Sequence, residues 1–298
     1  MVLIQYFDPW KGKLCTCPPK YTLNPYTGCQ HGCLYCYITA FIPQAFVVRE
    51  KRNLLKTVSK ELQKVKSSYL SLSNSSDPYP QEEAEKQYTR IILTMCRDYQ
   101  IPVLLLTKSP LVARDTDLLK TMKAVVSFTI TTMDLEKVKR LEPHAPEPEE
   151  RIQALQKLHQ AGIPTVLRLD PIIPGINDDP GEWEKMLQRL STSIRQVVVS
   201  TFKLRPDSWK RLVETFPHLS STQRWYTQKE GNSHYLEKRK RAEILQTLRQ
   251  IAHRHGLFFS SCREGFPEWN DLHCDGSSLL KVQSMNSLST IGGTSFRG

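Results

Sequence analysis

At 298 residues the chain has room for one large α/β domain or two small ones. Apolar residues make up 39% and charged residues 24%, which excludes wholesale disorder and allows a sizeable packed core. The formal charge of +11 and a pI of about 9.2 favour polyanionic partners, nucleic acid first.

The opening stretch MVLIQYFDPWKGK has too short an apolar run for a signal peptide, and Asp8-Pro9 interrupts it. No segment approaches the ~18 apolar residues of a membrane span. The expectation is a cytoplasmic protein without a membrane partner. In that compartment clustered cysteines are read as metal or redox groups rather than as disulfides. Cys15 and Cys17 form a CxC just before the first predicted strand, KYTLN at 20–24. The loop LNPYTGCQHGCLYCY, 23–37, then carries Cys29, Cys33 and Cys36. Leu54, Leu55, Val58, Leu62 and Val65 share one helical face. Apolar strands are predicted near 68–74, 101–108, 123–131, 164–173 and 195–202, a pattern of strands covered on both faces or closed as a barrel. Between them Ile152, Leu155 and Leu158 mark a helix ended by Gly162 and Pro164. Trp183, Met186, Leu187, Leu190 and Ile194 mark another.

Six βα units suit an open partial barrel or a doubly wound sheet, with the active site at the C-terminal ends of the strands in either case. Beyond 202 the sequence predicts a short helix in RPDSWKRLVETFP and a longer one from about Tyr235 to His255. Ile244, Leu248, Ile251 and Ala252 are expected inward, with Lys238, Arg239, Lys240, Arg241, Arg249 and Arg254 on the outer face. A strand LFFSS follows. The Ser-, Thr- and Gly-rich stretch 284–298 is expected to be a disordered tail.

Three thiolates at Cys-x3-Cys-x2-Cys suit a soft metal. A cubane iron–sulfur cluster held by three cysteines leaves one iron open to a small molecule. The competing reading is zinc, completed by His31 or a remote cysteine. The spacing, the aromatic Tyr35 before the last cysteine and the six βα units together favour the cluster.

The stretch resembles the radical S-adenosylmethionine (SAM) signature, CxxxCxΦC with an aromatic Φ. CLYCY, SSDPYPQEE at 75–83, TKSPLVARDTDLL at 107–119, LEPHAPEPEERI at 141–152 and DPIIPGIND at 170–178 resemble the spore photoproduct lyase and DNA repair photolyase-like family, over roughly 20–205. The resemblance implies an α/β fold with a partial (β/α)6 barrel at 20–205, between an N-terminal arm at 1–19 and a C-terminal extension at 206–283 that close it. It implies a [4Fe-4S] cluster on Cys29, Cys33 and Cys36, with SAM on the open iron. Reduction by a donor such as flavodoxin or ferredoxin then yields a 5′-deoxyadenosyl radical that abstracts a substrate hydrogen. It assigns Lys108 to the SAM carboxylate, Ser76 and Thr129 to further SAM contacts, Tyr35 to the adenine or radical path and Tyr37 to radical transfer. Glu142 and Arg151, from the "EP…R" motif, are expected to be structural and paired. Arg168 interrupts an apolar strand and needs an anion: the SAM carboxylate, a substrate phosphate, or an acid such as Asp170 or Glu142.

One departure bears on the reaction. Where the resemblance expects a hydrogen-donating cysteine, two residues before Ser76, the chain has Asn74, whose amide does not readily donate a hydrogen atom. The spare thiol Cys96 reads as a buried helix position. The radical mechanism is therefore expected more firmly than the spore photoproduct reaction. Cys15, Cys17, Cys262 and Cys274 are expected to meet at the barrel's open edge around structural zinc or an auxiliary iron–sulfur cluster. The leading reading is a radical SAM enzyme acting on nucleic acid. Its alternatives are the same chemistry on a peptide or metabolite, and a non-catalytic, zinc-dependent nucleic-acid-binding protein.

Overall fold

The computed structural model describes residues 2–7 and 14–280. The expected tail at 284–298 lies outside the described residues. Ten strands run in chain order: β1 Gln5–Phe7, β2 Lys20–Leu23, β3 Leu70–Leu72, β4 Val103–Thr107, β5 Ala124–Thr129, β6 Thr165–Ile172, β7 Gln196–Thr201, β8 Gln228–Glu230, β9 Ser233–Tyr235 and β10 Phe258–Ser261. The helices are α1 Leu54–Leu62, α2 Glu83–Lys86, α3 Tyr88–Asp98, α4 Thr116–Leu119, α5 Leu135–Leu141, α6 Pro148–Gln160, α7 Pro180–Leu190, α8 Pro206–Thr215 and α9 Lys238–Arg254.

The main sheet has the order β1-β2-β3-β4-β5-β6-β7-β10. Strands β2 to β7 and β10 are parallel; β1 is antiparallel on the β2 edge. A doubly wound sheet reverses its strand order at a switch point. Here six consecutive strands lie in sequence order without reversal, which is the winding of a barrel. The two edges, β1 and β10, are not hydrogen-bonded to each other, so the barrel is open.

Strand alternation divides the buried residues between two cores. Val103, Leu105, Val126, Phe128, Leu167, Leu169, Val197 and Val199 pack with the helices in the large outer core. Their neighbours Leu104, Val125, Val166 and Val198 face inward and pack on Tyr69, Leu279 and Leu280. The segment after β10 thus returns to fill the concave face. It passes so close at Gly276 (φ +90°) that a Cβ there would lie 3.1 Å from Val166 Cγ2.

Helix boundaries follow local chemistry. A capping box of Glu147 and Glu150 with Pro148 at the first turn starts α6. Asp179, accepting from Gly181 N at 2.9 Å, with Pro180 starts α7. The expectation for α9 needs correction. Arg241, expected outside, is 1% exposed, and the inward set is Leu245, Leu248, Ile251 and Ala252, with Ile244 half-buried. Arg241 Nε donates to Leu236 O at 2.9 Å, and its guanidinium also meets the Gln228 side chain. Among the described residues, no helix is long and apolar enough to cross a membrane.

Candidate active site

The three-cysteine loop leaves the C-terminal end of β2 and is held by main-chain bonds on both sides. Cys29 N donates to Ala45 O at 2.8 Å and Leu34 N to Leu141 O at 2.9 Å. Gly28 (φ +80°) is required where the loop turns: a Cβ there would sit 2.1 Å from Val47 O. From α8, Arg211 reaches back. Its Nε donates to Leu34 O at 3.1 Å and its Nη2 to Cys36 O at 3.0 Å, while Nη1 faces Asp207 at 3.4 Å. Thr39 Oγ1 lies within hydrogen-bond reach of Cys36 O, at 3.0 Å, and of the Asp207 carboxylate, and its one proton serves either acceptor.

The ends of the next strands surround this loop. Asp77, buried beyond β3, ties the end of β4 to the cysteine loop. It accepts from Thr107 Oγ1 at 2.7 Å and Lys108 N at 2.8 Å, and its Oδ2 lies 3.1 Å from His31 Nε2. Burial opposes its charge, but the His31 contact and the N–H and O–H donors outweigh it and hold the carboxyl below its ordinary range. Asp77 was not singled out from the sequence; its place in an Asp-Pro step just after a strand was the available signal.

Lys108 Nζ stands 5.5 Å from the Tyr35 ring centroid. Burial alone would lower its pKa, but Cys33 and Glu142 nearby raise it, so the ammonium is retained. Tyr35 OH donates to Glu142 Oε1, which also accepts from Thr131 Oγ1 at 2.9 Å. Glu142 Oε2 meets Arg151 Nη2 at 2.6 Å with both side chains fully buried, as the "EP…R" reading expected.

The remaining predicted residues divide. Tyr37 is 45% exposed and donates through its hydroxyl to Asn74 O. Asn74 Oδ1 accepts from Ser71 Oγ at 3.1 Å. Ser76 Oγ donates to Tyr26 O at 3.1 Å, which leaves its lone pairs available. Thr129, at the end of β5, is half-buried, and its carbonyl accepts from Arg151 Nη1 at 3.0 Å. Arg168 finds its anion in Asp170, at 2.7 Å. Cys96 is fully buried in the helix–sheet core. Far from the cysteine loop in sequence, Cys17 Sγ and Cys274 Sγ meet at 3.5 Å.

Among the described residues, no three or more His, Cys, Asp or Glu side chains stand in a ready-made metal-holding arrangement. Burial raises the loop thiols, Cys29 to about 12 and Cys33 and Cys36 in the same direction. Metal loading therefore releases protons and turns side chains. The surroundings suit a cluster with a bound small molecule. The donors are soft sulfur, the loop turns at glycine, and two buried polar atoms at the same mouth, Ser73 Oγ and His31 Nδ1, lack a hydrogen-bond partner.

A family model of the radical SAM superfamily matches residues 23–190. An uncharacterised protein of Methanocaldococcus jannaschii is 35% identical over 167 residues, 53% of this chain and 62% of that one. An uncharacterised protein of Acidianus two-tailed virus is 28% identical over 189 residues, 57% and 62%. The chain thus spans less than two thirds of the length of these curated relatives. Among solved structures, a spore photoproduct lyase variant with bound S-adenosylmethionine and dinucleoside spore photoproduct superposes with a TM-score of 0.62, at 16% identity, over 80% of this chain and 75% of that one. SuiB of Streptococcus suis bound to S-adenosylmethionine gives 0.56 at 14% identity, over 83% and 52%. At these identities the likeness is one of fold.

Proposed function

Because the chain belongs to the radical SAM superfamily, we propose that it cleaves S-adenosylmethionine reductively and directs the radical chemistry at nucleic acid, in the manner of lesion repair. Cys29, Cys33 and Cys36 hold the [4Fe-4S] cluster in this reading, and a flavodoxin or ferredoxin supplies the electron. Bound cluster and cosubstrate supply a 5′-deoxyadenosyl radical. The chain's own residues bind and orient. Lys108 offers a retained ammonium to the cosubstrate carboxylate. Ser76 and Thr129 offer hydroxyl oxygens, and Arg168 positions Asp170 inside the barrel. Tyr35 is anchored by Glu142, and Tyr37 lies at the exposed edge as the candidate for radical transfer. Asn74 in place of a thiol means that hydrogen return comes from another group or from the product nucleoside.

The observation that favours nucleic acid is the rim of the cysteine loop. Tyr37 and Phe41 are exposed with ring centroids 5.7 Å apart. Arg205 lies 5.8 Å from the Tyr37 ring. Exposed aromatic faces take stacked bases while guanidinium groups meet phosphates. A peptide or metabolite needs no such alternation.

The test is anaerobic reconstitution followed by addition of SAM and a reductant. The wild type should form 5′-deoxyadenosine, and the Cys29/Cys33/Cys36→Ala variant should not. Equal yields from the two would overturn the radical reading. Ultraviolet-irradiated DNA, undamaged DNA and RNA are then compared. If none is bound and none changes 5′-deoxyadenosine formation, the nucleic-acid assignment is wrong.

A further inference from the structure

The N-terminal arm and the segment after β10 approach each other across the open side of the barrel. Cys17 precedes β2 by three residues, and Cys262 directly follows β10; these strands lie at opposite ends of the seven-strand parallel array. Cys274 lies on the returning segment. Cys17 Sγ is 3.5 Å from Cys274 Sγ, and the Cys15 and Cys262 thiols lie near enough to Cys17 and Cys274, respectively, for each pair to influence the other's titration. Four thiols thus gather near the opening, two from each side, without yet standing in a metal-holding arrangement; metal binding would turn them inward.

The surroundings are cationic. Lys20, paired with Asp275 at 2.8 Å, lies in the field of Cys17 and Cys274; Arg168, paired with Asp170 at 2.7 Å, lies in that of Cys262 and Cys274; and Arg263 lies in that of Cys15. Cys96 is the contrast: burial is the one influence on its thiol. Four thiolates around a divalent ion carry a net charge of minus two, which Arg263 and the cationic ends of the Lys20–Asp275 and Arg168–Asp170 pairs offset in part.

We propose that Cys15, Cys17, Cys262 and Cys274 form a tetrathiolate zinc site that pins the N-terminal arm to the C-terminal extension and closes the barrel's open side. The one close sulfur pair favours a single metal over a cluster. Ligands ~2.3 Å from a tetrahedral ion stand roughly 3.8 Å apart, close to the Cys17–Cys274 separation of 3.5 Å. A cubane distributes its thiolates over four different irons and holds them farther apart. Binding exchanges four thiol protons for one zinc ion with no change of oxidation state. The site is built from other residues than the radical chemistry, so either assignment can fail without the other.

The 298-residue chain, purified anaerobically, should contain about one zinc per chain in addition to iron. The Cys29/Cys33/Cys36→Ala variant should lose its iron and keep the zinc. A Cys17→Ser/Cys274→Ser variant should lose at least nine tenths of its zinc and keep iron on the triad. Should that variant fold poorly, cobalt exchanged into the triad-Ala protein reports directly: a tetrathiolate site gives intense tetrahedral visible bands and thiolate-to-cobalt charge transfer. Three results would each overturn the proposal: zinc absent from the triad-Ala protein, iron retained in it at the level of a second cluster, or a Cys17–Cys274 disulfide found by non-reducing mass spectrometry.

Discussion

Glu142 concentrates much of the site's electrostatics in one side chain. It pairs with Arg151 at 2.6 Å, accepts from Tyr35 and Thr131, and lies in the field of Lys108. Burial works against its charge, yet Arg151 and then Lys108 bring its pKa down to about 2. A carboxyl whose folded pKa lies below its unfolded value stabilises fully above that unfolded value, near 4.5, and loses the contribution as pH falls toward 2. The shift corresponds to about 3 kcal/mol. The apoprotein should therefore lose stability steeply between about pH 5 and 2, and Glu142→Gln should flatten that slope in pH-dependent denaturant unfolding. At neutral pH the substitution strands Arg151, at a cost of roughly 3–5 kcal/mol. An unchanged acid slope in Glu142→Gln would refute this assignment. The pair itself was legible, because the two residues sit nine apart in a recognisable motif. Asp77 was not, because its partners His31, Thr107 and Lys108 lie 46, 30 and 31 positions away and only folding unites them.

At the scale of elements, the cysteine loop depends on a helix outside the six βα units. Arg211 of α8 caps the carbonyls of Leu34 and Cys36, and its removal leaves the cysteine backbone without those donors. Arg211→Met keeps the stem and removes the guanidinium. It should leave the thermal midpoint within a few degrees of wild type, and iron should leave the reconstituted protein several-fold faster in the presence of a chelator. Retention equal to wild type would show that the loop holds its shape without α8. No sequence pattern links residues 175 and 177 positions apart. The elements themselves were far more legible. Strands buried on both faces give unbroken apolar runs, and β3 to β7 lie within the expected stretches. Strands β1, β8 and β9, as short as β3 but not buried on both faces, carry no apolar run to be seen. Arg241 was misassigned for a different reason. Spacings of 4, 7 and 11 place it in line with Leu245, Leu248 and Ala252, on the inner face, but its charge suggested solvent. Carbonyl oxygens and Gln228 satisfy it there.

Over the whole molecule, sequential winding gathers the loops after β2 to β7 at one mouth, and the rim of that mouth presents Tyr37, Phe41 and Arg205 together. If the proposed nucleic-acid substrate binds there, stacking and charge would make separable contributions. If about four phosphates are engaged, log affinity should fall with log salt at a slope near −3, roughly a 50-fold loss between 50 and 200 mM. Phe41, 54% exposed, has a ring to offer and no charge. Phe41→Ala should weaken binding by ~1–3 kcal/mol and leave the slope unchanged. Arg205 lies over the Tyr37 ring with its Nε on Ser233 Oγ, so its guanidinium reaches the same rim. Arg205→Ala should lower affinity and make the slope shallower by about 0.7. Fluorescence anisotropy across a salt series on a labelled oligonucleotide reads all three quantities. A positive charge of +11 spread over the surface would also give salt-dependent binding, but of a kind indifferent to Phe41. Loss of affinity in Phe41→Ala at constant slope is therefore the outcome that separates binding at the radical site from general attraction to a basic protein.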